Sequence, residues 1–364
     1  VPEGKGVSSS ASVEVATMMG LTKCYTAEIA SAISQGGPGG GAIEARELGL
    51  LTQMVENHVV GAPCGVMDQM ASLLGQQNRL LALLCQPAEI LAYVDVPSSL
   101  AVWGIDSGIR HAVSGADYGS VRVGAFMGYR LMHSLAQQLQ RAEQRADAED
   151  QAVEEAPLCF EPADNASDSQ TEPATDAHQM PLGNGFLANV PPSDFEVIAA
   201  ELPVSMTGAD FLSEFPAGAG DTVTTVDAST TYAIRQPTKH PVYEHFRVKS
   251  FAELLHGTPV ATGPFGRQVE MLGELMYQSH QSYSSCGLGS LGTDRIVELV
   301  RRAGIKRGLY GAKITGGGSG GTVAVLGHVG AGEAVDEVVA RYKRELGHKP
   351  YVFTGSSPGA LAFG

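Results

Sequence analysis

The sequence predicts an α+β fold, and three features of its hydrophobic pattern support that prediction. Residues 43–60 and 331–346 repeat apolar side chains at helical spacing, which indicates amphipathic helices. Residues 80–84, 101–105 and 322–326 are short apolar runs, which are typical of buried strands. The predicted helices and strands do not alternate in the regular order of a parallel sheet. An α+β arrangement is therefore favoured over an α/β one.

Each of the two predicted helices has one apolar stripe that we expect to be buried. The stripe of the first helix consists of Leu51, Met54, Val55 and Val59. Glu56 lies beside this stripe on the helix surface. The stripe of the second helix consists of Val335, Val338, Val339 and Tyr342. A single stripe per helix indicates that each one covers a core with one face and leaves the other to solvent.

The composition divides the chain into three parts. Residues 1–142 and 193–364 alternate apolar segments with glycine-rich turns, and we predict that each forms a domain. Residues 143–192 contain few large apolar side chains, and the stretch 143–176 has eleven acidic residues and one basic residue. Because such a segment buries too little apolar surface to offset the entropy of ordering, we predict a disordered acidic insertion there.

The charge and the cysteines exclude several classes of function. With 39 acidic and 24 basic residues the formal net charge is -15, which argues against a nucleic-acid or membrane-surface partner. No apolar run approaches the roughly 18 residues that span a bilayer. The five cysteines are scattered and lack the spacing of a zinc site or a disulfide framework. We therefore expect a protein of the reducing cytoplasm.

The first motif joins a glycine loop to the start of a predicted helix. Its candidate phosphate-binding residues are Gly4, Gly6, Ser8, Ser9 and Ser10. Glycines allow backbone N–H groups to approach a phosphate closely, and a helix N-terminus adds partial positive charge. The motif is neither a Walker A loop nor a dinucleotide fingerprint. A serine-capped helix start without a ligand fits these residues equally well.

The second motif, residues 55–70, places a lone carboxylate after a glycine and proline turn. Phosphoryl transfer to a hydroxyl needs a divalent metal on the phosphates and a carboxylate that accepts or orients the hydroxyl proton. Glu56 suits the metal, and Asp68 suits the hydroxyl. The alternative is that Asp68 only caps the helix that begins near Gln69.

The third motif, residues 313–322, contains five glycines within six positions and precedes a predicted strand. A backbone without side chains lies flat against a ligand or a neighbouring loop. A flexible turn without a function has the same composition.

Together the three motifs resemble, in order and wording, those of the GHMP kinases, the family of galactokinase, homoserine kinase, mevalonate kinase and phosphomevalonate kinase. Residues 65–69 are similar to the galactokinase signature, and residues 106–111, 115–122 and 287–295 are similar to the L-arabinokinase branch. The resemblance implies the GHMP kinase fold, with a ribosomal S5 domain 2-like N-terminal part and a ferredoxin-like C-terminal part. It also implies an ATP-dependent sugar 1-kinase, with L-arabinose ahead of galactose or galacturonic acid.

The resemblance further implies a role for each candidate residue. Asp68 would activate the anomeric hydroxyl of the sugar, Tyr118 would contact the sugar, and Ser10 and Glu56 would bind the Mg²⁺ of ATP. Gly317 would line both the phosphate site and the substrate cleft. The residues implied for ATP binding are Gly4, Gly6, Ser8, Ser9, Ser10, Gly316, Gly317 and Gly318.

The sequence departs from the family pattern at 22–42, in the acidic stretch, and at its start. The family begins with a strand and a loop whose arginine stabilises the transferring phosphoryl group, whereas this chain begins at the phosphate motif. We therefore expect an N-terminally truncated domain that is inactive or nearly so by itself. Its exposed edge would favour a partner chain or self-association. The alternative function is a GHMP-fold protein that binds a ligand without catalysis, as a regulator or an assembly subunit.

Overall fold

The computed structural model describes residues 1–25, 43–109, 116–154, 182–256, 266–318 and 320–363. The α-helices are α1 (Ser9–Cys24), α2 (Ala45–Val55), α3 (Met67–Leu74), α4 (Ala116–Glu154), α5 (Pro192–Ala199), α6 (Gly208–Glu214), α7 (Arg235–His256), α8 (Arg267–Ser285), α9 (Leu291–Ala303) and α10 (Gly332–Leu346). The strands are β1 (Arg79–Leu84), β2 (Glu89–Asp95), β3 (Leu100–Asp106), β4 (Ser205–Thr207), β5 (Thr231–Ala233), β6 (Leu309–Ile314), β7 (Thr322–His328) and β8 (Val352–Phe353). The three predicted strands are confirmed as β1, β3 and β7.

The central sheet is antiparallel, with strand order β6-β7-β3-β8. β3 pairs with β7 along its whole length, from Leu100 opposite His328 to Asp106 opposite Thr322. Its other edge pairs with β8. The sheet therefore combines a strand from the predicted domain 1–142 with strands from 193–364. The division into two domains stays a prediction, and it does not coincide with separate sheets.

The two faces of this sheet are covered by different helices because successive side chains of a strand point to opposite faces. On one face, Trp103, Ile105 and Val325 pack in a buried cluster with α9 and α10. On the other face, Tyr310 and Leu326 pack with α7 and α8. The two inner strands of this sheet therefore reach the predicted motifs, because Asp106 at the end of β3 lies opposite Thr322 at the start of β7.

Helices α1, α2 and α3 pack on each other through the buried side chains of Val15, Leu48 and Leu73. The glycine loop of the first motif, residues 4–8, is called the phosphate loop here and precedes α1. Asp68 lies in the first turn of α3. Packing of α1 on α3 therefore brings the first and second motifs to the same end of this helical group. A separate cluster joins α4 to α5, α6 and α7 and contains Phe195, Phe211 and Met127.

The predicted stripe of the first helix is wrong. The buried residues of α2 are Leu48, Gly49 and Thr52, whereas Met54 is 53% exposed and Val59 is 78% exposed. The helix continues beyond Val55 as a π-helical segment, Glu56–Val60, whose wider turn changes the angular spacing that the prediction assumed. Thr52 is buried without penalty because its hydroxyl donates to the Leu48 carbonyl oxygen at 2.6 Å.

The predicted stripe of the second helix is confirmed in α10. Val335, Val338 and Tyr342 are buried against the sheet, and Val339 is partly buried beside them. The hydroxyl of Tyr342 donates to the backbone carbonyl oxygen of Ser107 at 2.6 Å. An apolar ring with a satisfied hydroxyl explains why a tyrosine occupies a core position of this helix.

Both ends of the predicted insertion, 143–192, are structured. Residues 143–154 continue α4 as a helix, and Leu187 and Val190 are buried near the other end. Those two side chains join the core of the α4 to α7 region, which the low apolar content of the whole segment concealed. Residues 155–181 lie outside the described residues, as does most of the departure at 22–42.

We expect Gly273→Ala to destabilise the fold. Gly273 is the point where α8 crosses β6, and a Cβ there would overlap the Tyr310 carbonyl group. Overpacking of this kind costs about 1–3 kcal/mol, which urea unfolding followed by circular dichroism would measure. Gly20→Ala is the matched control, because a Cβ on that residue of α1 meets nothing within 4 Å. Equal unfolding free energies for the two variants would contradict the tight crossing.

Candidate active site

The phosphate loop has a left-handed backbone at Gly4 (φ 69°), Gly6 (φ 67°) and Ser8 (φ 53°). Ser8 occupies the N-cap position of α1, but its side chain makes no capping hydrogen bond. That side chain instead lies beside Asp68, since both residues line the same cleft and Ser8 lowers the pKa of the Asp68 carboxyl. The serine-cap alternative therefore does not describe Ser8. The first backbone N–H groups of α1 stay available to an anion at this end of the helix.

The loop is tied to the end of the sheet by an ion pair. Lys5 Nζ donates to Asp106 Oδ2 at 2.6 Å, and the Asp106 side chain is only 1% exposed. The hydroxyl of Thr322 donates to the Lys5 carbonyl oxygen at 2.7 Å. Because Asp106 ends β3 and Thr322 begins β7, the loop rests directly on the sheet. Sequence reasoning missed this anchor.

Gly6 contacts the third motif backbone to backbone. A Cβ on Gly6 would lie 2.7 Å from Gly321 Cα and 3.2 Å from the Thr322 backbone nitrogen. Only a residue without a side chain allows this approach. The first and third motifs therefore meet, and the third motif is more than a flexible turn.

Asp68 lines a cleft of about 300 Å³ together with residues of the other two motifs. The phosphate loop contributes Gly6 and Ser8 to its wall, and the third motif contributes Thr315 and Gly316. Val66, not Asp68, occupies the N-cap position of α3. The capping alternative for Asp68 is thus not supported, and all three motifs border one cavity.

Two features of its surroundings raise the pKa of Asp68. Burial has the larger effect, and the charge of Glu56 adds to it, while the neighbouring Ser8 acts in the opposite direction. Brønsted behaviour makes a carboxylate with a raised pKa a stronger proton acceptor. The position of Asp68 therefore suits a general base at the wall of the cleft.

Ser10 and Glu56, the residues predicted to bind a metal, are in contact. Ser10 Oγ donates to Glu56 Oε1 at 2.9 Å, from the first turn of α1 to the π-helical segment. Gln69 Nε2 donates to Glu56 Oε2 at 2.5 Å. These bonds orient the carboxylate of Glu56 beside the N-terminus of α1. Neither residue lines the 300 Å³ cleft itself.

Glu14 is a further member of this oxygen cluster that sequence reasoning missed. Its Oε2 is buried and has no hydrogen-bond partner within the described part of the chain. Burial raises the pKa of Glu14, and the neighbouring charge of Glu56 raises it further. The signal was present in the sequence, because Ser10 and Glu14 are four residues apart and so share one face of α1.

Tyr118 packs on the third motif. A Cβ on Gly317 would lie 3.3 Å from Tyr118 Cδ2. Burial raises the pKa of Tyr118, while the nearby charge of Arg122 acts in the opposite direction. Arg122 in turn makes a two-pronged ion pair with Asp221, at 2.6 Å from Nε and 2.8 Å from Nη2. Burial raises the pKa of Asp221, but the hydrogen bonds of Arg122 and Thr224 outweigh it and lower this pKa to about 2. The structure thus brings together Tyr118 and Gly317, two of the three residues, with Asp68, that are predicted to contact the substrate.

The remaining predicted residues surround these groups. Ser9 begins α1, next to the hydroxyls of Ser8 and Ser10. Gly316 accepts a hydrogen bond through its carbonyl oxygen from the Tyr283 hydroxyl at 3.0 Å. Gly318 lies so close to Leu288 that a Cβ would be 2.7 Å from that side chain. The α8 side of the protein therefore fixes the third motif in place.

Comparisons with known proteins agree with this geometry. Residues 1–76 match the family model described as "GHMP kinases N terminal domain", and residues 261–344 match "GHMP kinases C terminal". The chain is 43% identical over 373 aligned residues to an L-arabinokinase of Arabidopsis thaliana, an alignment that covers 100% of this chain and 32% of that protein. Both GHMP kinase domain models therefore match this chain, the N-terminal model first and the C-terminal model second.

One further relative and one solved structure of similar fold are galactokinases. One from Chloroflexus aggregans is 33% identical over 142 residues, which is 38% of this chain and 32% of that protein. The crystal structure of Lactococcus lactis galactokinase complexed with galactose superposes with a TM-score of 0.60 at 18% identity, over 99% of this chain and 68% of that one. The predicted GHMP kinase fold is confirmed. The chain spans about a third of the length of the curated relatives it matches.

Behind the third motif lies a buried polar cluster on α7, α8 and β6. Glu244 accepts from Ser279 Oγ at 2.6 Å, from Arg247 Nε at 2.8 Å and from Lys313 Nζ at 3.0 Å. His240 Nδ1 lies 2.8 Å from Ser282 Oγ. Burial raises the pKa of Glu244, but the charge of Lys313 and the other partners outweigh it and lower this pKa to about 2.

We expect acid to destabilise this protein through His240. Burial lowers the pKa of His240 to about 4 from its ordinary 6.5, with Arg247 and Lys313 acting in the same direction and Glu244 against it. Between these two pH values the unfolded state binds more protons, so the free energy of unfolding falls as the pH drops. The loss is on the order of 1 to 3 kcal/mol, and urea unfolding at a series of pH values would measure it.

The matched test of this pH effect uses two histidine variants. His240→Gln should flatten the dependence between pH 6.5 and 4, because the glutamine side chain does not titrate. His58→Gln, at an exposed position, should keep it. An unchanged pH dependence in the His240 variant would assign the effect to other groups.

Proposed function

We propose that this chain is the ATP-binding and catalytic part of a sugar 1-kinase, which transfers a phosphoryl group to the anomeric hydroxyl of a monosaccharide. The observation that carries this proposal is the shared cleft, in which Asp68, the phosphate loop and the third motif line one cavity. Base and phosphoryl donor must meet through a single hydroxyl, and a shared wall is what that meeting requires.

In this proposal Asp68 accepts the proton of the sugar hydroxyl. Its raised pKa improves it as an acceptor, and Ser8 of the phosphate loop lines the same cleft beside it. Ser8 thereby links the residue that receives the proton to the loop that receives the phosphates. The approach of Gly6 to Gly321 keeps that loop against the third motif during the reaction.

Membership in a kinase family implies ATP as the phosphoryl donor. Its phosphates would bind the backbone N–H groups of the phosphate loop and of Ser9 and Ser10 at the start of α1, where the helix dipole favours anions. Lys5 contributes indirectly, since its ammonium is already paired with Asp106. Its role is to hold the loop against the sheet, so it is not the free cation that would offset charge on the migrating phosphoryl group.

The oxygen cluster around Ser10 fits a magnesium ion. Mg²⁺ prefers hard oxygen donors and typically takes one or two carboxylates together with substrate phosphates. Ser10 and Glu56 supply a hydroxyl and a carboxylate in contact, and the unpartnered Oε2 of Glu14 leaves further oxygen capacity beside them. Within the described residues, no group of three or more His, Cys, Asp or Glu side chains forms a metal site. Bound magnesium would offset negative charge on the phosphates of ATP.

Tyr118 is proposed to position the sugar. It lies against Gly317 at the third motif, near Arg122, and Arg122 is itself held by an ion pair with Asp221. A side chain whose neighbours are fixed in this way positions a substrate more accurately than a mobile one. L-arabinose ranks first among the sugars, ahead of galactose or galacturonic acid, because the similarity to an L-arabinokinase extends along the whole chain.

The test is sugar-dependent ADP release with L-arabinose, galactose, galacturonic acid and no sugar. It uses chain 1–364 and a version extended at its N-terminus with the sequence of the L-arabinokinase relative. Phosphorus NMR of the product should place the phosphate on the anomeric carbon. Binding of ATP and sugar by both proteins without turnover would favour the ligand-binding alternative. ADP release that is independent of sugar would contradict both functions.

We expect Ser10→Ala and Glu56→Ala to raise the magnesium concentration needed for nucleotide binding. Each removes one oxygen donor of the proposed site, and losses of this kind lower metal affinity by about 10- to 100-fold. Fluorescence of a labelled ATP analogue, titrated with MgCl₂, measures the shift without relying on turnover. Glu47→Ala, an exposed carboxylate of α2, is the control. Wild-type titrations for both variants would remove these residues from the site.

Location and assembly stay predictions. Among the described residues, no helix combines the length and the apolar character needed to cross a bilayer. The cytoplasm remains the expected compartment of the proposed kinase. A partner chain or self-association at an exposed edge also stays a prediction, which sedimentation of the purified chain would test.

A further inference from the structure

A second cleft, of about 290 Å³, lies between α7 and α8 and shares no lining residue with the cleft at Asp68. Its lining residues are Gln236, Lys239, Tyr243, Arg247, Gln278, Gln281, Ser282 and Ser285. All eight are polar, two are cations and none is acidic. In a chain with a net charge of -15, a cavity with only cationic charges on its wall favours an anionic ligand.

Arg247 is the strongest sign of a missing ligand. The residue is only 8% exposed, and its Nε is held by Glu244 at 2.8 Å. Its Nη2 is buried and has no acceptor within the described part of the chain. A buried donor without a partner is costly, and it is more costly when the group is charged. Arg247 lines the cleft, and a small shift of its guanidinium would bring the buried Nη2 to an acceptor placed there.

The local charges point the same way. Glu244 faces two cations, Arg247 and Lys313, so this cluster keeps an excess of one positive charge next to the cleft. Lys239 pairs with Glu196 at 3.3 Å, but its side chain is 42% exposed, and such exposed pairs are weak. The ammonium also lies 4.8 Å from the centre of the Tyr243 ring. An anion bound at Arg247 would therefore compete with Glu196 for Lys239. A guanidinium and an ammonium on one wall suit a phosphate group.

The rest of the wall suits hydroxyl groups. Side-chain amides and hydroxyls both donate and accept hydrogen bonds, as the alcohol groups of a sugar do. We propose that the cleft between α7 and α8 binds a phosphorylated sugar, with its phosphate on Arg247 and Lys239. The sugar hydroxyls contact the amides and hydroxyls of the wall, among them Gln281, Ser282 and Ser285.

The proposed site is connected to the third motif through neighbouring residues of α8 and β6. Ser282 lines the cleft, and the next residue, Tyr283, donates its hydroxyl to the Gly316 carbonyl oxygen at 3.0 Å. Lys313, which pairs with Glu244 behind the cleft, lies on β6 just before the same motif. A ligand between α7 and α8 therefore lies one residue away from the support of the proposed active site.

Isothermal titration calorimetry in phosphate-free buffer tests the proposal. Saturating magnesium and a non-hydrolysable ATP analogue occupy the phosphate loop, so that binding there does not interfere. The probes are glucose 6-phosphate, inorganic phosphate and glucose, each at millimolar concentration. We expect one glucose 6-phosphate per chain, weaker binding of inorganic phosphate and no detectable binding of glucose. Glucose 6-phosphate carries its phosphate away from the anomeric carbon and so poorly imitates the product of the proposed kinase.

The deciding variants keep the fold and change the cleft. Arg247→Lys retains a cation beside Glu244 but loses Nη2, and we expect about a tenfold or greater loss of affinity for glucose 6-phosphate. Lys239→Gln should weaken binding several-fold, and the thermal melting of each variant confirms folding. Arg344→Gln, an exposed charge on α10, is the control and should bind as the wild type does.

Three results would overturn the proposal. These are no binding of glucose 6-phosphate to the wild type, wild-type affinity in Arg247→Lys and Lys239→Gln, or equal affinity for inorganic phosphate, which would leave a phosphate site without a sugar. Failure of the ATP analogue to bind would count against the proposed kinase, whereas the Arg247 comparison would still decide this site.

Discussion

Asp68→Ala is expected to lower sugar-dependent turnover by about two to four orders of magnitude, which is the usual loss when a positioned proton acceptor is removed. ATP affinity should stay nearly unchanged, because the phosphate loop and its anchor at Asp106 do not depend on the Asp68 side chain. The rate should also fall as the pH drops through the pKa of Asp68, since only the carboxylate accepts a proton. Burial places that pKa above the ordinary value, so the decline should begin at a higher pH than for an exposed carboxylate.

The measurement is steady-state turnover with separate determination of nucleotide affinity, for the wild type and three variants. Asp68→Asn keeps the shape of the side chain and should be almost as slow as Asp68→Ala. Asp95→Asn removes an exposed carboxylate on β2 and should have wild-type turnover. If Asp68→Ala lowers only nucleotide affinity and leaves turnover intact, the assignment of Asp68 as the proton acceptor is wrong.

Gly6→Ala should separate the phosphate loop from the third motif, the two segments that are proposed to bind the phosphates of ATP. Its backbone is left-handed, with φ 67°, and the new Cβ would lie 2.7 Å from Gly321 Cα, where the obstacle is backbone and cannot rotate away. Either the phosphate loop or the third motif must therefore move. A displacement of about 1 Å near the reacting groups costs on the order of a hundredfold in rate, and we expect a loss of that size in kcat/KM together with weaker ATP binding.

Gly65→Ala is the matched control for this change. It lies three residues before Asp68, and a Cβ there meets nothing within 4 Å. We expect nearly wild-type kinetics and thermal stability for it. Wild-type ATP affinity in the Gly6 variant would show that the contact with Gly321 does not shape the site.

The parts of the fold that depend on local periodicity could be predicted. Val335, Val338 and Tyr342 repeat at helical spacing along an uninterrupted helix, and they are buried as expected. Met54 and Val59 belong to the predicted stripe of the first helix but are exposed. Met54 lies on the side of α2 opposite the buried Leu48 and Thr52, and Val59 lies in the π-helical segment that begins at Glu56. Nothing in the apolar pattern marks that change of pitch, and a periodicity argument assumes that the pitch is constant.

The candidate site likewise contains residues that local sequence could reveal and residues that only the fold brings together. The motifs identified the cleft because each carries its chemistry in consecutive residues. The anchor between Lys5 and Asp106 joins positions far apart in sequence, and it could be found only once β3 and the phosphate loop were placed in space. Glu14 was accessible to sequence reasoning through its spacing from Ser10. It was missed because a glutamate on a helix is ordinarily a surface residue.

The position of β3 has a consequence for how the protein is made. β3 lies between β7 and β8, and the phosphate loop contacts Thr322 and Gly321, so the first motif acquires its surroundings from residues much later in the sequence, with 317 positions between Lys5 and Thr322. Pairings between distant segments form late and slow the folding of a chain. During synthesis, the phosphate loop leaves the ribosome long before the strands that support it. The growing chain therefore cannot assemble this cleft until β7 has been made.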